Sequence, residues 1–249
     1  EAALSTSGGQ VSVMLANNET GVIQPIDDVV AIANDAGAIV HTDAVQAAGR
    51  IAVDIAALGA ATASLSAHKL GGPQGVGALV LGTDMQIASQ IKGGGQERGR
   101  RAGTENTAGI AGFGVAARLA HEDLVRMQGV AMLRDGMESS LAEALPDVVV
   151  FGDRVARLPN TSCFAVPGLR SETQIMALDL AGLAVSAGSA CSSGKVTPSH
   201  VLQAMDVPEP LAACAIRVSL GPDNTKEDVA RLVAALLDLS ERTGRRPAA

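Results

Sequence analysis

The chain contains no Trp and no Tyr, and only three Phe in 249 residues. Its core must therefore be aliphatic, built from Ala, Val, Leu and Ile. An excess of positive charge is also missing. The formal net charge is −7, so no general electrostatic attraction to nucleic acid or to an anionic membrane is expected. No apolar run reaches the roughly 18 residues of a membrane helix, and no signal peptide is visible. Cysteine is scarce: Cys163, Cys191 and Cys214 form no CxxC pair. An odd, sparse set argues against a disulfide scaffold and for a reducing cytosol, which makes the expected location cytoplasmic. There is no internal repeat. A start signal is absent too: residue 1 is Glu1, in mid-segment, and we expect a fragment or a processed product.

What is present suits one large or two modest domains, with 47% hydrophobic and 18% charged residues. Val11–Asn17 is short and apolar and reads as a buried strand, followed by the polar turn Asn17-Asn18-Glu19-Thr20-Gly21. After Pro25, Ile26-Asp27-Asp28 opens a helix to about Asp35, its early acids suited to the helix dipole. Ala38–Asp43, Ala61–Leu65 and Val76–Leu81 complete a set of four strands. Strands alternating with short helical segments predict an α/β unit with a largely parallel, buried sheet, an antiparallel member being possible. In open α/β sheets, ligands lie beyond the carboxyl ends of the strands. Asn18, Asp43 and the Ser66-to-Lys69 group each follow a strand at that end.

Lys69 sits in Leu65-Ser66-Ala67-His68-Lys69-Leu70-Gly71-Gly72-Pro73, after a strand and before a glycine-proline turn. It is either an ordinary turn lysine or an amine nucleophile able to condense with an aldehyde cofactor. Ser66 and His68 add hydrogen-bond donors beside it, as an anionic cofactor tail requires; a lone histidine is otherwise a satisfied core group. Asp43 suits a helix N-cap, or the partner of a protonated ring nitrogen. Gln46, three residues on, turns toward the same place if a helix begins there. The Gly- and Arg-rich run Ile91–Thr104 is neither a regular helix nor a strand. It is a surface loop or an anion clasp of amides, arginines and the Thr104 hydroxyl.

From Glu105 an apolar stripe runs to about Leu145 as a connector, with a boundary near Val125. The second half alternates strand candidates (Val148–Phe151, Asn160–Val166, Leu183–Ser186, Ala215–Gly221) with helices over Glu172–Leu180, Pro198–Met205 and a last one capped by Thr225. Cys163 and Cys214 lie in apolar surroundings and belong to the core. Cys191 lies among Gly and Ser in Ala187–Lys195 and should be accessible, with Lys195 able to favour its thiolate. Arg217 is a lone arginine in an apolar strand. It needs an anion, from an internal ion pair or a bound carboxylate.

Six motifs in order, Ala16–Gly21, His41–Gln46, Ser66–Lys69, Gly93–Thr104, Ser189–Ser193 and Ile216–Gly221, span nearly the whole chain. They resemble those of the cysteine desulfurases in the class V aminotransferase group, which are fold type I pyridoxal 5'-phosphate enzymes. The likeness is to the type with its cysteine on a long loop, serving iron–sulfur cluster assembly. It implies a large cofactor domain over residues 1–125 and a smaller α+β domain over 126–249. It also implies that Lys69 tethers the cofactor and moves protons, that Asp43 pairs the ring nitrogen, and that Gln46 and Asn18 bond the ring oxygen. Asn18 and Arg217 then take the substrate carboxylate, and Ser66 and His68 the phosphate. Thr104 is similar to the threonine that reaches the phosphate in the partner subunit, implying a homodimer. Cys191 is similar to the nucleophile that takes sulfur from L-cysteine, leaving alanine, and passes it to a scaffold or carrier protein. Neither nucleic acid, membrane nor metal enters this expectation.

Family members carry a glycine-threonine phosphate turn and a ring-stacking histidine ahead of the Asn17-Asn18 strand, and neither is in this sequence. Weak cofactor retention and little turnover are therefore expected of the chain alone. The alternatives are a selenocysteine lyase, another enzyme of the same group, or a catalytically impaired module that dimerises and binds scaffolds.

Overall fold

The computed structural model describes residues 9–83, 85–187 and 199–244. The chain folds as an α/β protein in two compact units. The first holds the residues up to Ala16 and Gln24–Leu124, and the second holds Asn17–Ile23 and the residues from Val125 on. Asn17–Ile23, placed with the first domain on sequence grounds, makes its contacts in the second.

In the first unit, strands β1 (Gln10–Met14), β2 (Ile39–Asp43), β3 (Thr62–Ser66) and β4 (Gly77–Leu81) form one sheet in that order. β1, β2 and β3 are parallel, and β4 returns antiparallel to β3. Helix α1 (Ile26–Asp35) makes the crossover from β1 to β2. It starts after Pro25 with Asp27 and Asp28 in its first turn, and it buries Ile26, Val30 and Ala33. A four-residue helix, α2 (Ile55–Leu58), capped by the Asp54 side chain, precedes β3. Helix α3 (Thr107–Glu122) is capped by Asn106. The core of this unit is small and aliphatic, as the missing aromatics require: Leu15, Val40, Ala44, Ala63, Ala67 and Ala116 are all buried.

This sheet is not buried on both faces, contrary to the sequence expectation. Along β2, Val40 and Thr42 are buried while Ile39 and Asp43 are exposed. The exposed face also carries Met14 and Leu79, at 41% and 50% exposure.

The second unit opens with helix α4 (Met127–Ala144). The single apolar stripe expected from Glu105 to Leu145 is therefore two helices. They are separated by a 3-10 turn at Asp123–Arg126, where the chain passes from one unit to the other. The unit's sheet is wholly antiparallel: β5 (Val149–Val150), β6 (Thr161–Ala165), β8 (Ala215–Ser219) and β7 (Ser186–Ala187), in that spatial order. Helices α5 (Ser171–Leu180), α6 (His200–Ala204), α7 (Glu209–Ala212) and α8 (Lys226–Arg242) complete it. Its core joins Met137 and Leu141 of α4, Phe164 of β6, Leu178 of α5, Ile216 of β8, and Leu232 and Leu236 of α8. A well-buried ion pair, Arg157–Glu138, has both Nη atoms of the guanidinium on the carboxylate at 2.7 and 2.8 Å. The hydrogen bond to Glu138 raises the Arg157 pKa above its ordinary value, against the opposing effect of burial.

Candidate functional site

Parallel pairing brings the carboxyl ends of β2 and β3 side by side, with Asp43 opposite Ser64. Side chains two apart along a strand share a face, so Asp43, Ser64 and Ser66 line the same face at that edge. Asp43 is exposed, and its Oδ1 accepts the backbone N–H of Val45 at 2.8 Å. The chain then bends through Ala44–Ala47, where Ala47 and Ala48 donate to the Ala44 carbonyl at 3.1 and 3.0 Å. Gln46 stands half-buried in this turn. No helix follows it, which corrects the expectation of a helical turn there. Gly49 ends the turn at φ 71°, and a Cβ on it would come within 2.8 Å of Leu70 and 2.9 Å of Ala120.

β3 runs directly into a 3-10 turn, Ala67–Leu70, that carries His68 and Lys69, both exposed. Ser66 Oγ lies 2.8 Å from His68 Nδ1. The turn is held in three ways. The Ala67 N–H donates to the Val76 carbonyl at 3.1 Å, closing the loop onto β4. Arg50 Nη2 donates to the Lys69 carbonyl at 3.3 Å. α3 packs beneath, so tightly that a Cβ on Gly72 would stand 3.0 Å from the Ala116 Cβ and 3.1 Å from the Ala67 carbonyl. An amine, a carboxylate and a hydroxyl–imidazole pair thus share one edge of the first unit. Thr104 is exposed at the end of the Gly- and Arg-rich run, in which Glu97 and Arg98 both take left-handed backbone at φ 50° and 56°. Gly103 before it donates to Gln96 Oε1 at 3.3 Å.

Sequence reasoning missed two side chains here. Arg50 follows the turn of Gln46, and burial lowers its pKa below the ordinary guanidinium value. His41 Nδ1 lies 2.8 Å from Thr62 Oγ1, and its Nε2 lies 3.4 Å from Ser64 Oγ. The alternation along β2 was the available signal, since it puts His41 on the face of Asp43.

The second unit holds Asn18 and Arg217. Asn17 Oδ1 accepts the N–H groups of Glu19 and Thr20 at 2.8 and 2.9 Å, making a tight turn around Asn18. Arg217, half-buried in β8, donates from Nη1 to the Asn18 carbonyl at 2.8 Å and from Nη2 to Ser186 Oγ at 3.3 Å. Its Nε is buried without a partner, and no ion pair forms on Arg217 among the described residues. Cys163, opposite Arg217 in the register of β6 and β8, is fully buried. Burial, and secondarily the Glu19 charge, push its thiol up to about 12, so it is no nucleophile at neutral pH. Cys214 is buried and donates from Sγ to the Pro210 carbonyl at 3.3 Å. Cys191 and Lys195 lie outside the described residues.

The family model described as Aminotransferase class-V matches residues 1–232. A cysteine desulfurase of Gluconacetobacter diazotrophicus is 46% identical over 232 residues, covering 93% of this chain and 58% of that protein. The cysteine desulfurase NifS of Azotobacter vinelandii is 44% identical over 228 residues, covering 90% of this chain and 56% of its own length. The X-ray structure of a NifS-like protein from Rickettsia africae superposes with a TM-score of 0.86 at 37% identity, over 96% of this chain and 65% of that one. The chain thus spans less than two thirds of these relatives.

Proposed function

Because this chain belongs to the class-V aminotransferase family, we propose that it carries the tethering lysine, the substrate clamp and the sulfur-accepting thiol of a pyridoxal 5'-phosphate-dependent cysteine desulfurase. The observation that carries this reading is Arg217. It is a half-buried cation with no carboxylate partner among the described residues, a buried and unpartnered Nε, and one Nη fixed on the Asn18 carbonyl. Such a fork suits a carboxylate-bearing ligand. The names and the 44–46% identity of the bacterial relatives support the same assignment.

The donor set at the sheet edge fits the cofactor. Lys69 would offer the amine for its aldehyde carbon, and Asp43 the carboxylate for its ring nitrogen. Ser66 and His68 would hold its phosphate, Gln46 its ring oxygen, and Thr104 the phosphate in the partner subunit of a homodimer; the family likeness further assigns Asn18, of the second unit, to the ring oxygen. Once bound, the cofactor supplies an electron sink for bonds at the substrate's α-carbon.

The side chains do the rest. Arg217, with Asn18, orients L-cysteine by its carboxylate. The Lys69 amine, beside His68, transfers the α-proton. The Cys191 thiolate attacks the substrate sulfur: an S–S bond forms and the C–S bond breaks. The C–S electron pair stays with carbon, which takes up a proton. One enzyme thiol and one L-cysteine give one enzyme persulfide and one L-alanine, with sulfur oxidised and carbon reduced. The persulfide sulfur passes to a scaffold or carrier protein of iron–sulfur cluster assembly, in a cytoplasm that keeps thiols reduced.

The test is Cys191→Ser in the full native protein loaded with cofactor. Sulfide release from L-cysteine in the presence of dithiothreitol should fall at least a hundredfold, as expected for loss of a covalent nucleophile, while the cofactor's visible absorbance stays. Sulfide release at the original rate would remove the persulfide step.

A further inference from the structure

The second unit contains a buried carboxylate to which the reaction above gives no role. Glu19 is 3% exposed and Ser199 5%, and the Ser199 hydroxyl donates to Glu19 Oε2 across 180 positions of sequence. The same Ser199 Oγ accepts the Leu202 N–H at 3.0 Å as the N-cap of α6. A serine hydroxyl has one proton. With that proton on Glu19 and the oxygen on Leu202, its orientation is fixed at both ends.

Burying a carboxylate against a neutral hydroxyl is a poor device for stability. Its location suggests another use. Glu19 follows Asn18 directly, in the turn held by Asn17 Oδ1. The Asn18 carbonyl in that turn is the acceptor at 2.8 Å for Arg217 Nη1. Moving Glu19 moves that carbonyl, and with it one of the two contacts that aim the guanidinium.

We propose that Glu19 and Ser199 are a positioning pair: the Ser199 hydroxyl anchors Glu19, which sets the Asn18 carbonyl and thereby the direction of the Arg217 fork toward the substrate carboxylate. This rests on the role given to Arg217 above. Arg217 is the residue assigned to the substrate carboxylate, so the effect belongs in binding rather than in the sulfur-transfer step.

The experiment uses the full native protein loaded with cofactor. Ser199→Ala removes the anchor, Ser199→Thr restores a hydroxyl, and Glu19→Gln keeps an acceptor oxygen for it. Ser199→Ala should raise KM for L-cysteine about tenfold with kcat within about twofold of the parent, the pattern of lost ground-state binding. Ser199→Thr should recover most of that loss, and Glu19→Gln should keep a KM near the parent's. Hydrogen exchange read by mass spectrometry should become about tenfold faster in the peptide covering Asn17–Ile23 in Ser199→Ala, with peptides of α4 and α8 unchanged. An unchanged KM, an unchanged exchange rate in that peptide, or a parallel fall of kcat with loss of cofactor absorbance each overturns the pair's role. A parent protein that releases no sulfur from L-cysteine defeats the functional reading instead, and the exchange measurement then decides the positioning claim alone.

Discussion

At the scale of single residues, Arg217 and Cys163 face each other in register across β6 and β8 and have opposite fates. Arg217 keeps donors for an anion. Substituting Lys keeps the charge but loses the fork, so the Asn18 carbonyl and an incoming carboxylate can no longer both be served. Arg217→Lys should raise KM for L-cysteine roughly ten- to a hundredfold, the range of one or two charge-assisted hydrogen bonds. Steady-state kinetics of sulfide release would check it. Cys163 is sealed, and its thiol is held near 12 against an ordinary 9.0. A group raised in the folded state stabilises fully below its unfolded value, and the advantage is lost as pH rises from 9.0 toward 12. At pH 10, one unit above the unfolded value, the loss is on the order of 1 kcal/mol. Urea unfolding at pH 7 and pH 10 should therefore show a larger alkaline loss in the parent than in Cys163→Ala. Equal losses would show that the thiol does not titrate on unfolding.

At the scale of elements, α8 is specified almost entirely by local signals. Thr225 Oγ1 accepts the Asp228 N–H at 3.2 Å, and Asp228 Oδ2 accepts the Thr225 N–H at 2.9 Å, a reciprocal capping box. Hydrogen bonds, chiefly from the Thr225 backbone, lower the Asp228 pKa. Thr225→Ala should cost about 1 kcal/mol of stability, read as a lowered urea midpoint at unchanged slope. The same kind of signal made much else legible. Pro25 with Asp27 and Asp28 marks the start of α1, and Gly37 its end, because these residues act on the backbone next to them. The break at Asp123–Arg126 was not legible, since Leu124, Val125 and Met127 carry apolar residues across it and no Gly or Pro lies within it. The direction of β4 was open for a related reason: period-two alternation is the same in parallel and antiparallel strands. α2 and α7, four residues each, are too short to show a period. Among the candidate site residues, Lys69, Asp43 and Arg217 stood out because each is a lone charge at or within an apolar strand. Arg50 and Glu19 did not, because their partners lie 19 and 180 positions away.

At the scale of the whole molecule, the division into units does not follow the chain. Asn17–Ile23 leaves the first unit and supplies the second with backbone partners: Ile23 N–H to the Ala156 carbonyl at 2.9 Å, and Leu158 N–H to the Gly21 carbonyl at 2.8 Å. Residues 125–249 expressed alone would lack both, and would leave Ser199 without Glu19 and Arg217 without the Asn18 carbonyl. Unsatisfied buried groups each cost about 1–3 kcal/mol. The piece should therefore unfold at a markedly lower urea concentration than the whole chain, and addition of a synthetic Asn17–Ile23 peptide should restore part of the difference. A piece as stable as the parent would deny the segment its structural role.

The reversal at β4 has a consequence for the amine. A fourth parallel strand would have required a crossover, leaving Lys69 on a long connection free at its far end. Because β4 comes straight back, Lys69 rides on a short hairpin loop clamped where Ala67 meets Val76. An amine so tethered explores a small volume. Its effective molarity toward any carbonyl held at that strand edge is correspondingly high before any chemistry begins.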